Sequence, residues 1–583
     1  MTFAETVRFL LNEAALFVYP FAVAIQWELV FLAALAIWLA PKALGSRLQP
    51  LRAAFDRLAN HRGASIAVCG ILPVALRLSL LGIYPVPEPS IHDEFSHLLL
   101  ADTLVHGRLT NPPHPMWQHF ESIHIIQQPT YNSMYPPGQG AFLALGEWLF
   151  HEPWVGVLVS VGLMFAAMCW MMQAWLPARW ALFGTILAIL AFGVTTLWIN
   201  SYMSGAVSGT GGALVLGAVR RLRRHPEQLA TRVRHSILLG VGIVLLMNTR
   251  PFEGLVLTTS ALAFLALSLW RSGAERVSLT KIVVPAGLIL TVGLVFMGFY
   301  NWRVTGSPLR LPYEVNRETY GWPENLGFLP VKQVTFRHRV LRDMYQKEIA
   351  HHSIYSSWHA FLNSLDVRAF ENWSFFCGPA LAIPLLLLPK VFLDRRTRPL
   401  VVILALMLGL NLFQMVLYPY HLGPIVPALF AIVAQGARHV YVVLSRSNRA
   451  RGMAFALLLP LCVAAVSTLK LEASDLGIPL TYWEHGVEAH RDARAYIQEW
   501  LSRRPGKQLV IVHYSSKHSP DQEWVYNGAD IDHSKVVWAR EMDEKSDAQL
   551  IAYFKDREVW LLNADSYPQR VVPYSATSSA CGP

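Results

Sequence analysis

The sequence predicts an α-helical polytopic membrane protein that carries a small α/β domain at its C-terminal end. Three observations predict it. Of the 583 residues, 53% are hydrophobic and only 15% are charged, where soluble domains carry about 25%. The apolar residues gather into about twelve runs of the length needed to cross, or nearly cross, a hydrocarbon core of about 30 Å. The basic residues gather in short loops between those runs, the pattern that positive-inside insertion produces.

The same pattern explains the net charge of +10 without nucleic acid, which needs a basic face on a folded domain. The five cysteines, Cys69, Cys169, Cys377, Cys462 and Cys581, are scattered. They make neither a disulfide framework nor a metal-ligand spacing. Acidic Glu5 near the start, with no small-residue cleavage site after it, argues against a cleaved signal peptide.

Residues 14–40 form the first apolar run. Lys42, Arg47, Arg52, Arg57 and Arg62 follow it and mark the cytoplasmic side. Residues 64–84 return across the membrane, so residues 85–140 lie outside. Within them, residues 93–106 read as a short helix with Leu98, Leu99, Leu100, Leu104 and Val105 on its apolar side. Gly107 and the Asn111-Pro112-Pro113 turn end it. Further spans are expected over 155–175, 180–198, 203–219, 236–247, 255–270 and 282–300. A second polar outer segment covers 301–372, and spans follow at 375–392, 400–417, 421–437 and 453–467. Residues 138–150 fit either a half-buried helix or a thirteenth span.

Three sections result: an N-terminal span and cytoplasmic loop over 1–63, a membrane domain over 64–468 with outer loops 85–154 and 301–372, and an extracytoplasmic α/β domain over 469–583. The last is expected to hold helices at 487–501 and 546–554 and strands at 508–512, 535–538 and 558–562.

The chemistry-bearing residues sit in the outward-facing motifs. Asp93 and Glu94 open the first outer helix in the sequence IHDEFSHLLL, and His97 follows Asp93 by one turn. Acids in a first turn complement the helix dipole. A carboxylate at a membrane edge also accepts a proton or holds a divalent cation. His92, His97, His106, His114, His119 and His124 crowd the same loop without a diagnostic metal spacing. Tyr135 lies in the rigid YNSMYPPGQG turn, suited to stacking on a sugar face or to an interfacial aromatic belt. TRPFEG, residues 249–254, interrupts an apolar run with Arg250 and Glu253, either a phosphate site or a local ion pair. Arg303 and Arg310 follow the next outward span, and His421 sits in YPYHLGP at the mouth of another.

This combination resembles the GT-C superfamily of polytopic glycosyltransferases, among them the dolichyl-phosphate-mannose protein mannosyltransferases and the bacterial aminoarabinose transferases. The resemblance rests on the acidic pair in the first large outer loop, the many spans and the second outer loop, and covers roughly 64–467. TRPFEG, TGSPLRLPY and NSYMSG look like motifs of bacterial members. It implies a multi-pass enzyme of the bacterial inner membrane, working on its outer face. The donor would be a polyprenyl-phosphate-linked sugar, the acceptor a lipid, glycan or protein, and transfer would invert the anomeric centre. Asp93 would be the general base or the acceptor-orienting carboxylate, with Glu94 in support or in a metal site. His97, Tyr135, Arg250, Glu253, Arg303, Arg310 and His421 would bind substrate, with Arg250 placed to stabilise the leaving phosphate. The resemblance makes no cofactor certain and leaves a divalent metal ion as a candidate. A lipid or solute transporter and a non-catalytic envelope assembly protein are the rival readings. Transporters are commonly built from internal repeats, and none is evident here.

Overall fold

The structure, a computed structural model, describes residues 24–41, 49–224, 229–271, 276–321, 329–414, 418–475 and 489–574. Among these, seven helices are long and apolar enough to cross a membrane: Arg62–Ser79, Pro153–Trp175, Leu229–Met247, Pro251–Arg271, Leu279–Thr305, Pro419–Ser447 and Arg449–Lys470. Ala24–Leu39, Ala178–Phe192 and Arg398–Asn411 are shorter and apolar, and Gly205–Arg224 packs among them with an arginine-rich end. The chain is an integral multi-pass membrane protein. Each expected span contains a helix, although span ends such as 80–84, 193–198 and 412–414 are not helical, and residues 14–23 and 415–417 lie outside the described residues.

One run departs from a single rod. Residues 375–392 are shared by the helices Trp358–Phe376, Gly378–Leu385 and Leu388–Leu393. Gly378, at φ 54°, makes the first break. Pro384 and Pro389, which carry no N–H to extend a helix, surround the second. The ambiguous stretch 138–150 is the helix Pro137–Phe150. Its 14 residues make a rod of about 21 Å, shorter than a bilayer core. It buries Leu143 and leaves Trp148, Leu149 and Phe150 exposed.

Two glycines let polar segments approach closely. A Cβ on Gly212 would lie 1.9 Å from the carbonyl oxygen of Pro424. Only glycine therefore seats the 3₁₀ segment Pro419–Ile425 against the Gly205–Arg224 helix. A Cβ on Gly138 would meet the Thr249 side chain at 2.4 Å, and Gly138 N–H donates to Asn248 O at 2.7 Å. That contact ties the YPPGQG turn to the residues leading into Arg250. Arg77, buried at the end of its span, donates to Asn200, Tyr84 and Pro85 at 2.6–2.9 Å and so fixes where the chain leaves the bundle.

The C-terminal section is a four-stranded sheet in the order Val536–Arg540, Lys507–His513, Arg557–Asn563, Val571–Pro573. The first three strands are parallel and the last is antiparallel. Three strands and the helices Ala489–Ser502 and Glu544–Tyr553 fall where the sequence places them, save that residues 487 and 488 are not described. The fourth strand, three residues long, follows Pro568 with no apolar run to announce it. Strand alternation sends Val510 and Val512 to one face with Ile497 and Leu501. Leu509 and Ile511 point to the other, where Leu550 and Phe554 are joined by Leu99, Phe120 and Tyr131 of the first outer segment. The sheet and the Asp93 helix therefore share one apolar core.

Candidate active site

The helix His92–Val105 opens with Ile91 in extended geometry. Glu94, at the third helical position, turns back on that entry. Its Oε2 accepts from Ser90 N and Ile91 N at 2.8 and 3.0 Å, and its Oε1 accepts from Tyr202 N at 2.9 Å. Glu94 thus caps the helix and ties it to the 200–203 turn, with both oxygens occupied.

Asp93 points elsewhere. His124 Nδ1 donates to its Oδ1 at 2.6 Å, and the Tyr135 hydroxyl donates to the same oxygen. Among the described residues, Oδ2 receives only the longer 3.3 Å bond from the Tyr420 hydroxyl. Burial alone would push the Asp93 carboxyl up, but the His124 charge and hydrogen bond, with His92 and Tyr135, hold it well below the usual carboxylate range. Burial and the neighbouring carboxylate together raise the Tyr135 phenol well above its ordinary value, so it remains a donor.

His124 is held in the left-handed region at φ 59°, uncommon for a residue with a side chain. Its N–H donates to the Tyr345 hydroxyl at 3.2 Å, and its carbonyl accepts from Ser96 Oγ at 2.7 Å and Met134 N at 3.3 Å. These three bonds offset a strain of about 1–3 kcal/mol and aim the ring at Asp93.

His97 packs its ring 4.5 Å from the Tyr135 ring. Its Nδ1 is buried with no partner among the described residues. Burial lowers its pKa to about 3, with Arg250 and His124 acting in the same direction against Asp93. Arg250 stacks 4.9 Å over the Tyr420 ring, and its buried Nε also lacks a partner among the described residues. Glu253 is buried nearby and acts electrostatically on Arg250.

Of the residues singled out from sequence, Asp93, Glu94, His97, Tyr135, Arg250 and Glu253 gather around one buried polar centre. Arg303 is exposed at the end of its helix, and Arg310 is engaged by Glu318 in a local ion pair. His421 packs its ring 4.7 Å from Tyr420, but it is Tyr420 that bonds Asp93. Among the six loop histidines only His124 bonds the aspartate. His106 bonds the Asp102 carbonyl, while His114 and His119 reach Asp532 and the Arg540 carbonyl at 3.1 and 3.0 Å. Tyr345 and Glu348, from the second outer segment, were not apparent from sequence. The Glu348 carboxyl is buried and held above its usual range, chiefly by that burial, with Asp93 adding to it. Among the described residues, no group of three or more His, Cys, Asp or Glu is arranged to hold a metal ion.

No protein-family model and no curated protein matches the chain. Solved structures overlap with it at low identity. The Archaeoglobus fulgidus oligosaccharyltransferase AglB, in complex with an inhibitory peptide and a dolichol-phosphate, is 12% identical, with a TM-score of 0.46 over 86% of this chain and 69% of its own. The same enzyme in complex with Zn and sulfate is 11% identical, with a TM-score of 0.45 over 86% of this chain and 67% of its own. ArnT from Cupriavidus metallidurans, bound to undecaprenyl phosphate, is 15% identical, with a TM-score of 0.43 over 85% of this chain and 92% of its own.

Proposed function

We propose that the protein is a membrane glycosyltransferase that moves a sugar from a polyprenyl-phosphate-linked donor to an extracytoplasmic acceptor, with Asp93 as the general base. The observation that carries this reading is the asymmetry of Asp93. Its Oδ1 is fixed by His124 and Tyr135, while among the described residues Oδ2 keeps only a 3.3 Å contact. An ionised carboxylate with one loosely held oxygen orients an incoming hydroxyl or amine and, being a weak base, takes its proton late, once bond formation has acidified it.

In the proposed step, the acceptor heteroatom attacks the anomeric carbon and the bond from that carbon to the phosphate oxygen breaks. The acceptor proton passes to Asp93 Oδ2, and polyprenyl phosphate leaves with the bonding pair. Negative charge grows on the leaving phosphate. Arg250 supplies a positive charge and an unspent N–H beside the centre, where a dry environment strengthens its effect. His97, neutral at physiological pH, offers a further hydrogen-bonding atom. Tyr135, His124 and Glu94 act as positioning residues. The apolar bundle gives the polyprenyl tail a place to remain in lipid while its phosphate meets the polar end.

The test is purified protein in liposomes with polyprenyl-phosphate sugars, following release of polyprenyl phosphate and labelling of the acceptor. Wild type should turn over donor, and Asp93→Asn should not. Full turnover by Asp93→Asn removes the assignment.

A further inference from the structure

A cavity of about 490 Å³ lies between the first outer segment and the Pro312–Tyr320 helix. Nothing in the reaction described above uses it. Its volume falls within the range of small-ligand pockets, about 300–1,000 Å³. Trp117, Tyr320 and Phe336 give it aromatic walls, and Gln127 lines its floor beside Glu121 and Arg337.

The charges in this cavity are already engaged. Glu121 accepts from the Tyr320 hydroxyl at 2.9 Å and from Arg337 at 3.2 Å, and His338 approaches it at 3.4 Å. Arg337 also lies 4.6 Å over the Trp117 ring. A phosphate would have to share Arg337 with Glu121, whose charge already offsets it, and an ammonium group would have to displace Arg337. Gln127 is different. It is 5% exposed, and its Nε2 donates to Phe120 O at 2.6 Å, which fixes the amide orientation. Its Oε1 is then a buried acceptor with no partner among the described residues. An orphaned buried acceptor carries a desolvation penalty that a ligand hydroxyl or amide N–H removes. Aromatic faces, an orphaned acceptor and compensated charge together match a neutral polyhydroxylated ring.

The cavity is also joined to the Asp93 centre. Ile125 and Ile126, which line it, follow His124 directly. Tyr345, whose hydroxyl accepts the His124 N–H, stacks on Tyr320 at 4.5 Å with the rings 6° apart. One layer of side chains therefore separates the cavity from the aspartate's own partner.

We propose that this cavity is a subsite for a neutral sugar ring, held by Gln127 Oε1 and the Trp117 and Tyr320 faces. The proposal rests on the glycosyltransferase reading for its place in the reaction, and on the cavity alone for its ligand. The sugar has two sources, the donor or a glycan acceptor, and kinetics separates them.

The experiment uses the full chain in nanodiscs, with glucose and N-acetylglucosamine as neutral probes and glucose 6-phosphate and inorganic phosphate as charged ones, read by saturation-transfer NMR. At least one neutral sugar should bind more tightly than either charged probe. Gln127→Leu and the milder Phe336→Leu should each weaken that binding by about tenfold, while Asp93→Asn leaves it unchanged. Failure of both neutral sugars to bind, preference for phosphate, or wild-type binding by both variants overturns the subsite. In the transfer assay, a Gln127→Leu effect confined to acceptor KM assigns the ring to the acceptor, and one confined to donor KM assigns it to the donor. Gln127-dependent sugar binding without any transfer keeps the subsite and rejects the transferase. Transfer with binding and KM values unmoved by either variant does the reverse.

Discussion

The Asp93 centre and the interface beneath the C-terminal sheet are both buried, charged and rich in aromatic rings, yet they spend their polar groups differently. At the interface, Glu523 accepts from Arg540 at 2.6 Å, from the Trp524 and Val525 N–H groups at 3.0 and 2.9 Å, and from the Tyr514 hydroxyl. Arg540 in turn donates to the Glu121 carbonyl at 3.1 Å, joining the sheet to the first outer segment. At the Asp93 centre, by contrast, Oδ2 is loosely held and His97 Nδ1 and Arg250 Nε have no partner among the described residues. Arg540 Nε and Nη1 also lack a partner among the described residues, so the contrast lies in the carboxylates: Glu523, held by four donors, holds a fold together. One left partly open beside unspent donors is arranged for something that comes and goes.

The comparison can be broken from either side. The largest effect expected at the interface is on stability. Glu523→Ala leaves Arg540 buried without its charge partner, a loss of about 3–5 kcal/mol. Thermal unfolding of the full chain in detergent or nanodiscs should show it, and an unchanged melting temperature would mean that the sheet docks without this pair. On the other side, Arg250→Ala should lower donor kcat/KM of the folded protein by about 10²-fold, the scale of one lost charge-stabilising donor, apart from the stability lost by leaving buried Glu253 without its charge neighbour. Unaltered donor kinetics would reduce Arg250 to a structural partner of Glu253 and Tyr420.

The smallest effect is on pH dependence. Burial, with Arg540 adding to it, lowers the His338 pKa to about 3 from an ordinary 6.5. The unfolded chain therefore binds more protons between these values. The contribution is intact above pH 6.5 and is lost as the pH falls toward 3, with a slope of at most about 1.4 kcal/mol per pH unit. His338→Gln, which keeps a donor for the Gln118 carbonyl, should flatten that part of the acid-stability curve. An identical curve would place the acid sensitivity in other groups, such as His97.

The membrane spans were legible because hydropathy and basic loops are local signals. The Gly378 break was not, since a run of apolar residues looks the same whether it is one helix or several. Asp93, Arg250 and Tyr135 were legible because each interrupts an apolar or polar pattern in a way that needs a reason. Their partners were harder to see. His124 was one of six histidines, and what sets it apart is a backbone conformation fixed by Tyr345, more than two hundred residues away. In YPYHLGP the histidine drew attention, while the tyrosine beside it carries the contact to Asp93. Arg310 looked available until the fold supplied Glu318. The docking of the sheet was illegible for the same reason. It depends on contacts such as Phe95 stacked 4.1 Å from Tyr526 and the Ala529 N–H donated to Asp102 at 2.6 Å, which no periodicity encodes.

Adjacent carboxylates with opposite roles give the most direct test. In the reconstituted transfer assay, kcat and melting temperature should be measured side by side for Asp93→Asn and Glu94→Gln. Asp93→Asn should lower kcat by about 10²–10⁴-fold with little change in melting. Glu94→Gln keeps an acceptor but loses its charge-assisted bonds, and should cost about 1.5–3 kcal/mol of stability while the folded fraction retains most of its turnover. Turnover that survives in Asp93→Asn and vanishes in a well-folded Glu94→Gln would contradict the account.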